Sequence, residues 1–139
     1  MKTLLSAIVI FALFLPLNSC DFSFSTAHID NIKMCSSMID NQCTSDNPQF
    51  NTGTPEIFIS CQLKNAPENT NVEFAWYYLG KEKIKIDAVR LNSGDRIGTL
   101  KLHSSLMHPN NGWPTGEYEV MIRILDTSKE PVIKKFIVK

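Results

Sequence analysis

The sequence carries no excess charge of either sign: 14 Lys and Arg stand against 14 Asp and Glu in 139 residues. A balanced chain lacks the basic stripe that holds nucleic acid, and no basic run would steer it to anionic lipid. The six glycines form no phosphate-cradling loop. No Cys-x-x-Cys pair exists for redox or zinc chemistry, and no Gly-x-Ser-x-Gly elbow would expose a serine nucleophile. His103 and His108 are five apart without the acidic residue of a His-Glu-x-x-His helix, so they and His28 read as exposed strand and loop residues. Ser104 and Ser105 beside His103 therefore make no nucleophile pair. Glu117 and Glu119 share a strand face with Arg123, an arrangement of solvated charges rather than an acid–base couple. No useful length of sequence has helical periodicity, and no internal repeat occurs. Catalysis, a cofactor, a metal, nucleic acid and a small-molecule substrate are all unexpected.

The amino terminus carries an address. Met1-Lys2 is a short positive start, and residues 4–17 are an apolar run followed by small or polar residues. That run is too short for the ~20 residues of a spanning helix, so residues 1–19 read as a secretory signal peptide. Leu17-Asn18-Ser19-Cys20 resembles the bacterial lipobox. The resemblance implies cleavage after Ser19 and acylation of Cys20, which anchors the chain to membrane, since two or three acyl chains hold stably where one holds marginally. An ordinary secretory signal followed by an unmodified Cys20 is the alternative. Asp21 resembles the inner-membrane retention signal of enterobacterial lipoproteins. Residues 20–27 would then be a lipidated tether, and the protein an extracytoplasmic one of a bacterial cell envelope, periplasmic or at the surface.

Removing residues 1–19 leaves 120, enough for one domain with a single core. Strict alternation marks the strands. The clearest follows Trp113-Pro114-Thr115-Gly116: Tyr118, Val120, Ile122 and Ile124 point one way, and Glu117, Glu119, Met121 and Arg123 the other. Further strands are expected over residues 28–35, 56–64 (Ile57, Ile59, Cys61 and Leu63 on one face), 72–79, 83–87, 97–106 and 132–139. Val72, Phe74, Trp76 and Tyr78 share a face of the richest of these. Residues 36–50, rich in Ser, Asn, Asp and Gln, read as a long loop. Turn clusters every 8–12 residues argue a sandwich.

The Gly116-x-Tyr118-x-Val120 entry resembles the tyrosine corner of immunoglobulin-like sandwiches, in which the hydroxyl bonds backbone upstream. Cys61, Trp76 and Tyr118 fall in the order of strands B, C and F of such a domain. Val120 stands where an antibody-type domain has its second Cys, so that inter-sheet bridge is absent. The carboxyl-terminal pattern is also similar to fibronectin-like domains of uncharacterised bacterial lipoproteins. The resemblance covers residues 28–139 and implies an all-β fold, an immunoglobulin-like β-sandwich of about seven antiparallel strands, with Trp76, Gly116 and Tyr118 as structural residues. It implies little about activity.

Export to an oxidising compartment leaves Cys35, Cys43 and Cys61 beside the lipidated Cys20. Three is odd, so at most one internal bridge forms. Cys35–Cys61 is favoured, since Cys61 lies within a strand; Cys43–Cys61 and Cys35–Cys43 follow, and all three reduced is a further alternative. The face opposite Trp76 and Tyr118 would show Tyr77, Leu79, Met121 and Ile133, with Ile137, as candidates for contact with an envelope protein. The function expected is that of a non-catalytic binding module. A structural accessory subunit, its sheet edge completed by another strand, is the alternative.

Overall fold

The computed structural model describes residues 26–139; the expected signal peptide 1–19, Cys20 and the rest of the expected tether to residue 25 lie outside the described residues. Eight strands follow one another: β1 (His28–Cys35), β2 (Gln49–Phe50), β3 (Glu56–Ala66), β4 (Asn71–Leu79), β5 (Lys83–Asn92), β6 (Gly98–Met107), β7 (Gly116–Ile124) and β8 (Val132–Val138). They form two sheets, β1-β3-β6 and β2-β8-β7-β4-β5. Every pairing is antiparallel except that of β2 with β8. The fold is an all-β sandwich.

Alternation builds its core. Ile57, Ile59, Cys61 and Leu63 of β3 are wholly buried, and they face Val72, Phe74 and Trp76 of β4 and Tyr118, Val120 and Ile122 of β7. Burying each such side chain contributes roughly 1.5–3 kcal/mol. Rings join into a chain: Tyr118 stacks on Phe136 at 4.9 Å between centroids, and Phe136 meets Trp76 edge-on at 6.0 Å. The indole Nε1–H of Trp76 donates to Ser104 Oγ at 3.1 Å, a buried bond that ties the two sheets together. Glycine is required at position 116, where φ is 137° and a Cβ would stand 3.2 Å from the Tyr78 hydroxyl.

Three differences from the expected strands have physical causes. β5 runs on to Asn92 because a bulge between its pairings with Trp76 and Tyr77 restores the register of Ala88 to Leu91 with β4. Gln49–Phe50, within the expected loop, pairs with Ile137 and Val138, placing Phe50 against Phe136 at 5.8 Å. The disulfide is Cys35–Cys43, not the favoured Cys35–Cys61. Cys35 lies opposite Phe58 and Met34 opposite the buried Ile59, so Cys35 occupies the outer face of its sheet. Cys61 is on the inner face, and side chains on opposite faces of a sheet cannot be bridged. It remains a buried free thiol, pushed up to about 12 by burial.

The bridge shapes the segment between β1 and β2. Ile39 and Gln42 pair across a tight turn in which Asp40 and Asn41 take positive φ, and Cys43 N–H donates to Ser60 Oγ at 2.9 Å. Asp46 accepts from Met34 N–H at 2.9 Å and pairs with Lys134 of β8. The half around Cys43 thus lies over the outer face of the three-stranded sheet, and the half at Asp46 and Asn47 closes the side of the sandwich between β1 and β8.

Candidate functional site

Two surfaces present groups that the core does not use. The first is the outer face of the five-stranded sheet, where register sets out the rows. Ile133 of β8 lies beside Met121 of β7, which lies beside Ala75 of β4 and then Ala88 of β5. The next row runs Lys135, Glu119, Tyr77, Lys85, and beyond it Ile137, Glu117, Leu79, Lys83. The candidates Tyr77, Leu79, Met121 and Ile133 therefore share one face. Ile133 is 48% exposed, and the other three are half-buried. Lys83 pairs with Glu119 and sits over the Tyr77 ring at 4.4 Å, a contact that covers much of that ring. On the other flank Glu73 accepts from Arg90 Nε at 3.0 Å and from Arg123 at 2.9 Å. The Arg90 bond, aided by Arg123 and opposed by burial, holds the Glu73 carboxyl below the usual carboxylate range. The face mixes these apolar side chains with charges: Glu73, Arg90, Arg123, Lys83 and Glu119 are paired, and Lys85, Glu117 and Lys135 are in no ion pair among the described residues.

The second surface is the side between β5 and β6. Five strands face three, and among the described residues no strand lies over the inner face of β5. Ile84, Ile86 and Val89 are 55%, 44% and 37% exposed. At the end where β7 begins, this side widens into a cleft of about 390 Å³ lined by Tyr78, Ile86, Trp113, Pro114, Tyr118 and the 109–112 turn. The polar atoms of its rings are engaged. Tyr118 OH donates to Pro114 O at 2.6 Å, Tyr78 OH to Thr115 O at 3.1 Å, and Trp113 Nε1–H to Thr54 O at 2.7 Å. Burial, helped by the neighbouring Tyr78, pushes the Tyr118 phenol up to about 12. No charged side chain lines the cleft, so it suits an uncharged, apolar group.

The histidines do not converge. His28 contacts Thr26 O at the start of β1, and His103 is exposed on β6. His108 contacts Thr52 O and fastens the 108–113 segment to the 51–54 turn. Among the described residues no group of three or more His, Cys, Asp or Glu side chains could hold a metal ion. Cys20 lies outside the described residues. The stripe on β5 was partly visible in the sequence, since Ile84 and Ile86 alternate with lysines; that no strand covers it depends on the pairing of distant segments.

No family model matches the sequence, and no curated protein matches it. Among solved structures the chain is similar to the Pseudomonas fluorescens alkylpurine DNA glycosylase AlkC bound to DNA containing an abasic site analog. The identity is 15% and the TM-score 0.49, over 81% of this chain and 30% of that one. The chain thus spans about a third of that protein's length, and a likeness at this level assigns neither activity nor ligand.

Proposed function

We propose that the protein is a lipid-anchored extracytoplasmic lipoprotein, and that its domain is an immunoglobulin-like sandwich acting as a non-catalytic binding module for an envelope protein. The observation that carries the reading is the uncovered apolar side between β5 and β6 on a sandwich whose opposite side is closed by a disulfide-bonded segment. Apolar surface left open on an otherwise packed domain marks a place of contact. Three features support the immunoglobulin-like assignment: the order β1-β3-β6 against β2-β8-β7-β4-β5, a buried Trp on β4, and the Tyr118 hydroxyl bonded four residues upstream.

The anchor reading rests on Leu17-Asn18-Ser19-Cys20. Ala27 borders the β3–β4 turn and the end of β7, whereas the apolar cleft lies where β7 begins. A membrane tether at the first end would turn the cleft away from the bilayer. The alternative role, an accessory subunit whose sheet is completed by another strand, is favoured by one observation: the large apolar residues exposed on the described surface are aliphatic or Met, and none is aromatic. Intact mass of the membrane-extracted protein, before and after reduction and alkylation, tests the anchor. Cleavage before Cys20 with added acyl chains is the expected result; an unlipidated mass would contradict it.

A further inference from the structure

We infer that the open side takes an extended strand of an envelope protein, paired antiparallel or parallel to the free edge of β6, in which apolar side chains alternate with acidic ones. The inference rests on the open side being a contact surface for an envelope protein, which the binding-module and accessory-subunit readings share, and names the kind of segment that surface takes. β6 pairs with β3 alone among the described residues, so its other edge presents unpaired backbone donors and acceptors. A fourth strand added there would lie over the inner face of β5, about 10 Å away as in any stacked pair of sheets. Its inward side chains would cover Ile84, Ile86 and Val89, with a gap or a polar group at Asp87, which the register sets opposite the inward Trp76, and those at one end would reach the uncharged cleft beside Tyr78 and Trp113.

Charge selects the rest of the pattern. The inward positions of β6 are Leu100, Leu102, Ser104 and Leu106, opposite the buried face of β3. The outward positions include Lys101 and His103, both exposed and neither in an ion pair of the described residues. Cross-strand neighbours of opposite charge favour pairing and like charges oppose it, so the exposed ammonium of Lys101 favours carboxylates at the outward positions of the added strand beside it. Neutral aliphatic residues inward and carboxylates outward give the segment a period of two. The edge of the larger sheet differs: its strand β5 carries a bulge, with Asp87 capping the N–H of Ala88. Those devices blunt an edge. β6 has no bulge along residues 100–107.

The test is photocross-linking of the full-length protein in its own membrane, with a photo-reactive phenylalanine analogue at position 103 and, separately, at position 133. Adduct from position 103 should map by mass spectrometry to a segment alternating acidic and apolar residues. Its yield should fall at least roughly tenfold in Lys101→Glu and persist in Lys101→Arg. An adduct with a second copy of this chain, or with its own residues 20–25, would overturn the inference, as would a yield indifferent to Lys101→Glu or a segment without the alternation. Adduct from position 133 alone would overturn it and leave the binding-module reading standing. No adduct from either position would remove both.

Discussion

The two sides of the sandwich are finished differently. Between β1 and β8 the gap is closed by Asp46, which joins Met34 N–H to Lys134, at the end of a segment that Cys35–Cys43 and the bond of Cys43 N–H to Ser60 pin to the outer face of the three-stranded sheet. Between β5 and β6 no described strand lies over the gap, and Ile84, Ile86 and Val89 are left exposed on the inner face of β5. The neighbouring strand β4 carries the same kind of residues on the same face, yet Val72, Phe74 and Trp76 are buried because β3 and β6 lie over them. Exposure on β5 thus follows from strand count rather than composition. One side is closed from within; the other is left for an outside segment.

That contrast can be broken by substitution. Trp76→Ala should cost about 3–5 kcal/mol in urea unfolding, whereas Ile84→Ala should cost less than about 1 kcal/mol because little of its side chain is buried. Comparable losses at both would mean that the β5 face is covered. On the closed side, replacing Cys35 and Cys43 together by Ala should remove about 2–3 kcal/mol, the loop-closure contribution of so short a bridge. Ile84→Ser, by contrast, should leave the melt almost unchanged and reduce the adduct from position 103.

Charge distinguishes the regions more finely. Glu73 and Asp46 both ionise more readily than free carboxyls, Glu73 chiefly through Arg90. At Asp46 burial opposes ionisation, but Lys134 and the Met34 N–H outweigh it. Groups with depressed values stabilise the fold above their unfolded values, near 4.5 and 3.8, and that contribution disappears as pH falls through the lower folded values. Unfolding free energy should therefore fall as pH drops below this range, and the fall should be shallower in Glu73→Gln. At neutral pH that substitution should cost about 1–2 kcal/mol, since both arginines remain partly solvated. Asp46→Asn should cost under about 1 kcal/mol and loosen the closed side alone. The smallest effect concerns Cys61: with its thiol buried and pushed up to about 12, alkylation should be negligible until the protein unfolds.

Much of this architecture is legible in the sequence, for reasons that also mark the limit. β3 and β7 alternate clearly because one face of each meets the core, and Pro114 and Gly116 announce the entry to β7. Local alternation says which residues share a face. It does not say which strand lies opposite, and the remaining features depend on that. Place in the sequence favours joining Cys35 and Cys61, but the register of β1 on β3 puts them on opposite faces. Gln49–Phe50 is too short to alternate, so its pairing with β8 left no periodic trace. The candidate face of Tyr77, Leu79, Met121 and Ile133 assembles from alternation alone, whereas the paired charges around it emerge only from cross-strand neighbours. The stripe on β5 has the pattern of any half-buried strand; its exposure is a property of the three-stranded sheet across from it.

The most direct measurement is amide hydrogen exchange along Gly98–Met107, made on the purified full-length protein and on the same protein in its native membrane. An added strand would bond the outward-facing amides of β6 and shield Ile84, Ile86 and Val89. The account predicts that those amides exchange freely in the purified protein and become protected in the membrane, while the β4 amides are slow in both. Equal rates along β6 in the two preparations would contradict it.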